Sequence, residues 1–148
     1  MFDDLTGKGA SGVGRFLVEF EVANNEDVVK AGAGLLAPAR VRRLTISGSV
    51  DTGATRLVLP ARVVGKLGLP SKGKVKVRHA DDCTATRDAV HGVLVQLLGR
   101  EGVFTAVVEP KRRRALIGAI VLEDLDFVLD CIQQLVPRDS RYIVSEIE

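Results

Sequence analysis

The feature that most constrains the fold of this chain is an Asp-Thr-Gly triplet at residues 51–53, which separates two short apolar segments. Upstream, apolar and polar residues alternate from Arg43 to Val50, which is the period of a strand with one buried face. Downstream, Arg56 to Leu59 favours a second short strand. Asp51 is therefore predicted to lie in a tight turn between two strands, where a rigid scaffold can hold a carboxylate in the fixed position that catalysis requires.

The rest of the sequence also predicts short strands joined by turns. Residues 16–22 alternate as a half-buried strand, and Asn24 to Asp27 break it. Residues 28–40 are predicted to form a loop, whose apolar content indicates that it packs against another surface, such as that of a partner subunit. The expected fold is all-β, a closed or nearly closed barrel with two short helices. Its remaining predicted elements are a helix after Pro60 that ends at Gly68, a hairpin with arms near Val75 and Val95, a strand over 104–108, a helix over 119–126, and a pairing of 127–129 with 135–136.

Three segments carry a family resemblance. The first is VDTGA at residues 50–54, the second is ADDCT at residues 80–84, and the third is ALIGAIVLEDLDFVLD at residues 115–130. In this order they resemble the retropepsin-like single-domain aspartic proteases, and more closely the short bacterial members of that clan, over about residues 41–137. The chain departs from these relatives at the hairpin tip, where they commonly have Ala-Asp-Gly. Here Asp82 replaces the glycine, which disfavours a type I′ turn.

The resemblance implies a retropepsin-like closed β-barrel, the acid protease fold, with one half of an active site per chain. It implies that Asp51 is catalytic and that Gly53 brings its amide close to the Asp51 carboxylate without a Cβ in the way. Residues implied to support the active-site loop are Thr52, Gly53, Ala54, Ile117 and Gly118. Residues implied to form a flap over the substrate are His79, Ala80, Asp81, Asp82, Cys83 and Thr84.

Peptide hydrolysis by carboxylates needs two of them. A lone carboxylate cannot both deprotonate water and protonate the leaving amide, whereas two that share one proton provide an acid and a base. The chain supplies one Asp-Thr-Gly triplet, so the second Asp51 is expected from a symmetry mate, and catalysis implies a homodimer. The apolar residues 31–39 and 142–144 are candidate interface segments.

Each of these features also has a simpler explanation. Asp51 could be an ordinary turn residue, because Asp-x-Gly turns are common, and residues 80–84 could be a plain solvent-exposed hairpin. His79 and His91, with the neighbouring Asp81, Asp82 and Cys83, lack spacings that converge on one metal, so no metal or other cofactor is expected. Cys83 has no identifiable base that would make it a reactive thiol.

Composition narrows the range of partners. Net charge is +2, aromatic content is 4%, and there is no Trp, so no nucleic-acid partner is expected, and the basic run Lys111 to Arg114 is interpreted as a solvated loop. No apolar run has the length of a membrane span, and residues 1–14 lack the pattern of a signal peptide. The two cysteines show no scaffold spacing. We expect a cytoplasmic protein, with a flexible segment at 1–14 and a single domain at 15–148.

The leading hypothesis from the sequence is an aspartic endopeptidase that acts as a homodimer on peptide or protein substrates. A noncatalytic peptide-binding or dimerisation module on the same fold is the alternative, because a fold does not determine a function. A processing protease with one dedicated partner is a third hypothesis.

Overall fold

A computed structural model of the protein describes residues 15–129 and 135–137. Most of these residues lie in β-strands. Its short elements follow one another with few long connections. In chain order they are β1 (Arg15–Asn24), α1 (Asn25–Gly32), a 3₁₀ turn (Pro38–Arg40), β2 (Arg43–Asp51), β3 (Leu57–Pro60), α2 (Ala61–Leu67), β4 (Ser71–Arg78), β5 (Thr84–Leu97), β6 (Arg100–Glu109), β7 (Ala115–Ile117), α3 (Ala119–Asp124), β8 (Phe127–Leu129) and β9 (Leu135–Pro137).

Seven of the described strands form one sheet that closes on itself. The strand order is β1-β2-β7-β3-β6-β5-β4, and β1 also pairs with β5. The closed ring therefore runs through β1, β2, β7, β3, β6 and β5, while β4 lies outside it and pairs with the first half of β5. The predicted closed all-β barrel is confirmed. The expected pairing near the C-terminus is also confirmed, because β8 and β9 form a separate antiparallel pair.

Side-chain alternation explains why these strands face a common core. Phe20 and Val22 on β1 are buried, whereas Glu19 between the strand's apolar positions is exposed. β5 changes character along its length: from Val93 to Leu97 it lies in the barrel wall and is mostly buried, but residues 84–88 alternate between exposed and half-buried positions. The second half of β5 therefore belongs to the core, and the first half belongs to a hairpin.

The first strand ends at Asn24, where the predicted break begins, but the loop predicted over residues 28–40 is wrong in its first part, because residues 25–32 form the helix α1. Asn24 is the N-cap: the backbone amide of Asp27 donates to its Oδ1 at 3.1 Å. An Asn followed three residues later by an acid is a typical N-terminal capping pattern, and this pattern was the available signal. Together with α2 and α3, the described part of the chain has three α-helices rather than the two expected.

A buried polar cluster joins α1 to the start of β2 and the end of α2. The Asn24 amide donates to the carbonyl oxygen of Leu67 at 2.8 Å, and Asn24 is 1% exposed. Arg42 donates to the Asp27 carboxylate from its backbone amide, from Nε at 2.8 Å and from Nη2 at 3.0 Å. Chiefly through its side-chain hydrogen bonds, Arg42 lowers the pKa of Asp27 to about 2. The cluster compensates the burial of Asn24 and Asp27 by pairing their polar atoms, while the Arg42 side chain stays about half exposed.

No helix in the described ranges, 15–129 and 135–137, is long and apolar enough to cross a membrane.

Replacing Asp27 with Asn should lower the free energy of unfolding by about 2 kcal/mol at neutral pH, measured by urea denaturation, because a buried charge-assisted contact is lost. Glu26→Gln is the matched control, since Glu26 pairs with Lys30 at the exposed surface of the same helix. That change should cost less than about 0.5 kcal/mol.

The effect of Asp27→Asn should also depend on pH. The folded pKa of Asp27, about 2, lies below that of a free Asp, so the stability from its charge is fully present above about pH 4 and is lost as the pH falls toward 2. The difference between the wild type and the variant should shrink over that range. A difference that keeps its full size at pH 2 would show that the charge is not its source.

Candidate functional site

Asp51 is the last residue of β2 and lies at the edge of the core. It is 9% exposed, and the preceding Val50 is fully buried. The backbone amide of Gly53 donates to Asp51 Oδ1 at 2.9 Å, and the amide of Ala54 donates to the carbonyl oxygen of Asp51 at 3.1 Å. The first bond orients the carboxylate and the second closes a tight turn, so Asp51 has a defined position rather than a range of loop conformations.

Strand β7 fixes both sides of this turn. It runs parallel to β2, with Ile117 opposite Val50, and antiparallel to β3, with Leu116 opposite Val58. β7 thus lies between the strand that enters the Asp51 turn and the strand that leaves it. Ile117 is fully buried, so β7 is part of the core where it lies between β2 and β3.

The residues that follow β7 hold the far side of the turn. The amide of Ala119 donates to the carbonyl oxygen of Ala54 at 2.8 Å, and the amide of Ile120 donates to that of Thr55 at 3.0 Å. Gly118 touches the same segment so closely that a Cβ added to it would lie 2.5 Å from the carbonyl oxygen of Arg56. Only glycine fits this approach.

The predicted hairpin is present, and its tip is a three-residue loop instead of a type I′ turn. The His79 amide donates to the Cys83 carbonyl oxygen and the Asp82 amide donates to that of His79, both at 2.9 Å. Asp82 has a φ of 70°, so it occupies a left-handed position of the kind that favours glycine. Asp tolerates this conformation better than most residues do, which is how the chain makes the turn without a glycine.

The tip is exposed and carries an acidic group. Asp81 Oδ1 accepts from the Cys83 amide at 3.0 Å, and this bond is the main reason that the pKa of Asp81 is lowered. Cys83 is an exposed free thiol, and Arg78 pairs with Asp82 at 3.7 Å on the surface.

The structure brings some of the sequence-predicted site residues together and separates others. Asp51, Thr52, Gly53 and Ala54 form one turn, and the residues on either side of it meet the predicted supporting segment: Val50 lies opposite Ile117, and Gly118 lies against Thr55 and Arg56. Thr52 is exposed in the single chain. The hairpin tip, by contrast, is joined to the end of β6, where His79 Nε2 lies 2.9 Å from Glu109 Oε2. Sequence reasoning missed Glu109, because nothing in a local pattern indicates a contact across 30 residues.

Two further observations concern possible ligands. Among the described residues, no three His, Cys, Asp or Glu side chains lie close enough together to hold a metal ion. A cavity of about 330 Å³ lies beside the site without including Asp51, and it is lined by Arg56, Leu57, Val103, Phe104, Thr105, Ile120 and Asp124.

Comparison with known proteins finds similarity among solved structures and not among family models or curated proteins. No protein-family model matches the sequence, and no curated protein matches it. Among solved structures, the chain is similar to the solution structure of simian foamy virus (mac) protease, with 13% identity and a TM-score of 0.43. The match covers 53% of this chain and 81% of that one. A likeness this weak identifies neither a family nor an activity.

Gly118→Ala should destabilise the fold by about 1–3 kcal/mol and displace the Asp51 turn, because the new Cβ would meet backbone atoms that cannot move aside independently. Gly65→Ala is the matched control: Gly65 lies in α2, and a Cβ there meets nothing within 4 Å. That change should leave stability unchanged or raise it by up to about 1 kcal/mol. Thermal or urea unfolding measures both variants, and equal effects at the two positions would contradict the tight contact at Gly118.

Proposed function

We propose that the protein is an aspartic endopeptidase that works as a homodimer, with the two Asp51 carboxylates sharing one proton at its two-fold axis. The observation that carries this proposal is the placement of Asp51. Asp51 ends β2 beside the fully buried Val50, its carboxylate accepts a hydrogen bond from the Gly53 amide, and the turn is braced by β7 and α3. A residue needed only to make a surface turn would not require this support from the core.

The chemistry requires the second carboxylate. In the proposed step, one Asp51 carboxylate takes a proton from water while the water oxygen attacks the carbonyl carbon of the peptide bond. The protonated Asp51 of the partner gives its proton to the carbonyl oxygen. The tetrahedral intermediate then breaks its C–N bond: the departing nitrogen takes the proton that the first Asp51 received from water, and one hydroxyl of the intermediate gives its proton to the partner's carboxylate as the C=O bond re-forms. The pair again holds one proton. Because each chain contributes one Asp-Thr-Gly triplet, the proposed site is complete only in a dimer.

The hairpin supports an extended peptide as the substrate. Within the described sheet, β4 pairs only with β5, so no described strand pairs with its other edge. An extended peptide can pair with such an edge. In this proposal residues 79–84 form the flap, Thr52 bonds to its mate across the two-fold axis, and peptide binding closes the hairpin and excludes water.

Asp51→Asn tests the proposal most simply. The change is nearly isosteric, and an Asn oxygen still accepts from the Gly53 amide, so the fold should be retained while the shared proton is lost. The variant and the wild type are each incubated with a diverse peptide pool from acid to neutral pH, and mass spectrometry measures the products. Cleavage by the variant should be lower by at least about a hundredfold. Glu123→Gln, which alters an exposed acid on α3, is the control and should cleave as the wild type does.

The outcome separates the hypotheses. Cleavage that survives in Asp51→Asn would rule out Asp51 as the catalytic group. A wild-type protein that binds peptides at the hairpin but cleaves none over the whole pH range would favour the noncatalytic peptide-binding module instead.

A further inference from the structure

Glu109 lies where the hairpin meets the barrel. It is the last residue of β6, and its side chain is 15% exposed. Arg87, on the β5 arm of the hairpin, donates from Nε to Glu109 Oε1 at 2.7 Å, and His79, at the tip, lies 2.9 Å from Oε2. One carboxylate therefore contacts both the arm and the tip of the hairpin, each through a different oxygen.

The carboxylate is held in its charged form. Burial alone would raise the pKa of Glu109, but the hydrogen bonds from Arg87 and His79 outweigh burial and lower this pKa. A charged acceptor makes both contacts stronger than neutral hydrogen bonds. The ion pair on the outer face of the hairpin is much more exposed than these contacts: its Lys74 and Asp88 side chains are 69% and 56% exposed.

Both arms of the hairpin bend at the same level, close to the barrel. The β4–β5 register shifts between Ser71 and Gly73, and the β5–β6 register shifts between Val90 and Val93. Each irregular segment contains a glycine with a positive φ, 109° at Gly73 and 76° at Gly92. Ser71 lies opposite Val90, so the two bends are adjacent across the hairpin. Paired bulges of this kind re-aim a hairpin and can serve as its hinge.

We propose that Glu109 is a positioning residue for the hairpin: it fixes the angle that the hinge at Gly73 and Gly92 leaves adjustable, and it releases the tip when the His79 contact breaks. The inference rests on the proposed function for its role in peptide binding. The hinge and the contacts themselves do not depend on catalysis. Arg87 keeps the arm on the barrel while the tip moves, because its bond uses the other carboxylate oxygen.

Hydrogen exchange of the full chain without peptide tests this role directly. Glu109→Gln should speed exchange of the His79 and Asp82 amides by about tenfold, because a Gln side chain offers one acceptor oxygen where the hairpin presents two donors. Amides of β1 and β2 should exchange as in the wild type. Unchanged exchange at the tip would overturn the proposal.

Two further variants keep the test decisive. Asp88→Asn removes an ion pair from the outer face of the same hairpin, and it should leave tip exchange unchanged because that pair is exposed. His79→Leu retains the Arg87–Glu109 bond, offers no donor to Glu109 Oε2, and should speed tip exchange as Glu109→Gln does. If Glu109→Gln fails to fold, an unchanged tip in His79→Leu would overturn the proposal by itself.

Peptide kinetics provide the second readout. Glu109→Gln should raise KM by about tenfold with kcat changed by less than about twofold, since the hairpin binds substrate and takes no part in the chemical step. A fall in kcat as large as the rise in KM would contradict a positioning role. If Glu109→Gln speeds tip exchange but the wild type cleaves no peptide, the positioning role of Glu109 is supported and the proposed peptidase is not. Failure of one proposal can therefore be told apart from failure of the other.

Discussion

The insertion of β7 between β2 and β3 is the constraint on which the site depends. These two strands carry the chain into and out of the Asp51 turn, and without β7 they would have no common neighbour at that point. β7 is fixed in this position because Ile117 is buried in the core and because Gly118 lets α3 begin against the backbone of Thr55 and Arg56. The position of the Asp51 carboxylate is thus determined by core packing rather than by the turn alone. In the proposed peptidase, a carboxylate placed in this way would need little reorganisation when substrate binds.

Strand β5 couples the barrel to the hairpin. Its second half pairs with β1 and closes the ring, and its first half pairs with β4 outside the ring. The change of partner occurs at the bulge near Gly92, where the chain needs a positive φ. One continuous strand therefore contributes both a rigid wall and an adjustable arm. Glu109, at the end of the neighbouring β6, is well placed to control the angle between the two.

The local patterns in the sequence predicted most of the elements, and the nonlocal contacts escaped them. Alternation identified β1 and β2, and Pro60 with Gly68 marked the ends of α2, because periodicity and turn chemistry act within a few residues. The expected second helix ends two residues early, at Asp124, and Asp126 adopts a φ of 63°. The contacts of Glu109 could not be predicted, because two bulges shift the register of the hairpin and alternation carries no information on such shifts.

The central claim is that catalysis requires one Asp51 from each of two chains, and subunit mixing measures this most directly. Wild-type protein would be unfolded and refolded together with an equal amount of Asp51→Asn protein, so that the chains pair at random. A shared site predicts that peptide cleavage falls to about half of that of the same wild-type protein refolded alone, since half of its chains pair with an inactive partner. Refolding with Glu123→Gln instead should about double the cleavage. Cleavage that is unchanged by the Asp51→Asn chains would show that each chain acts alone, and would contradict the shared pair.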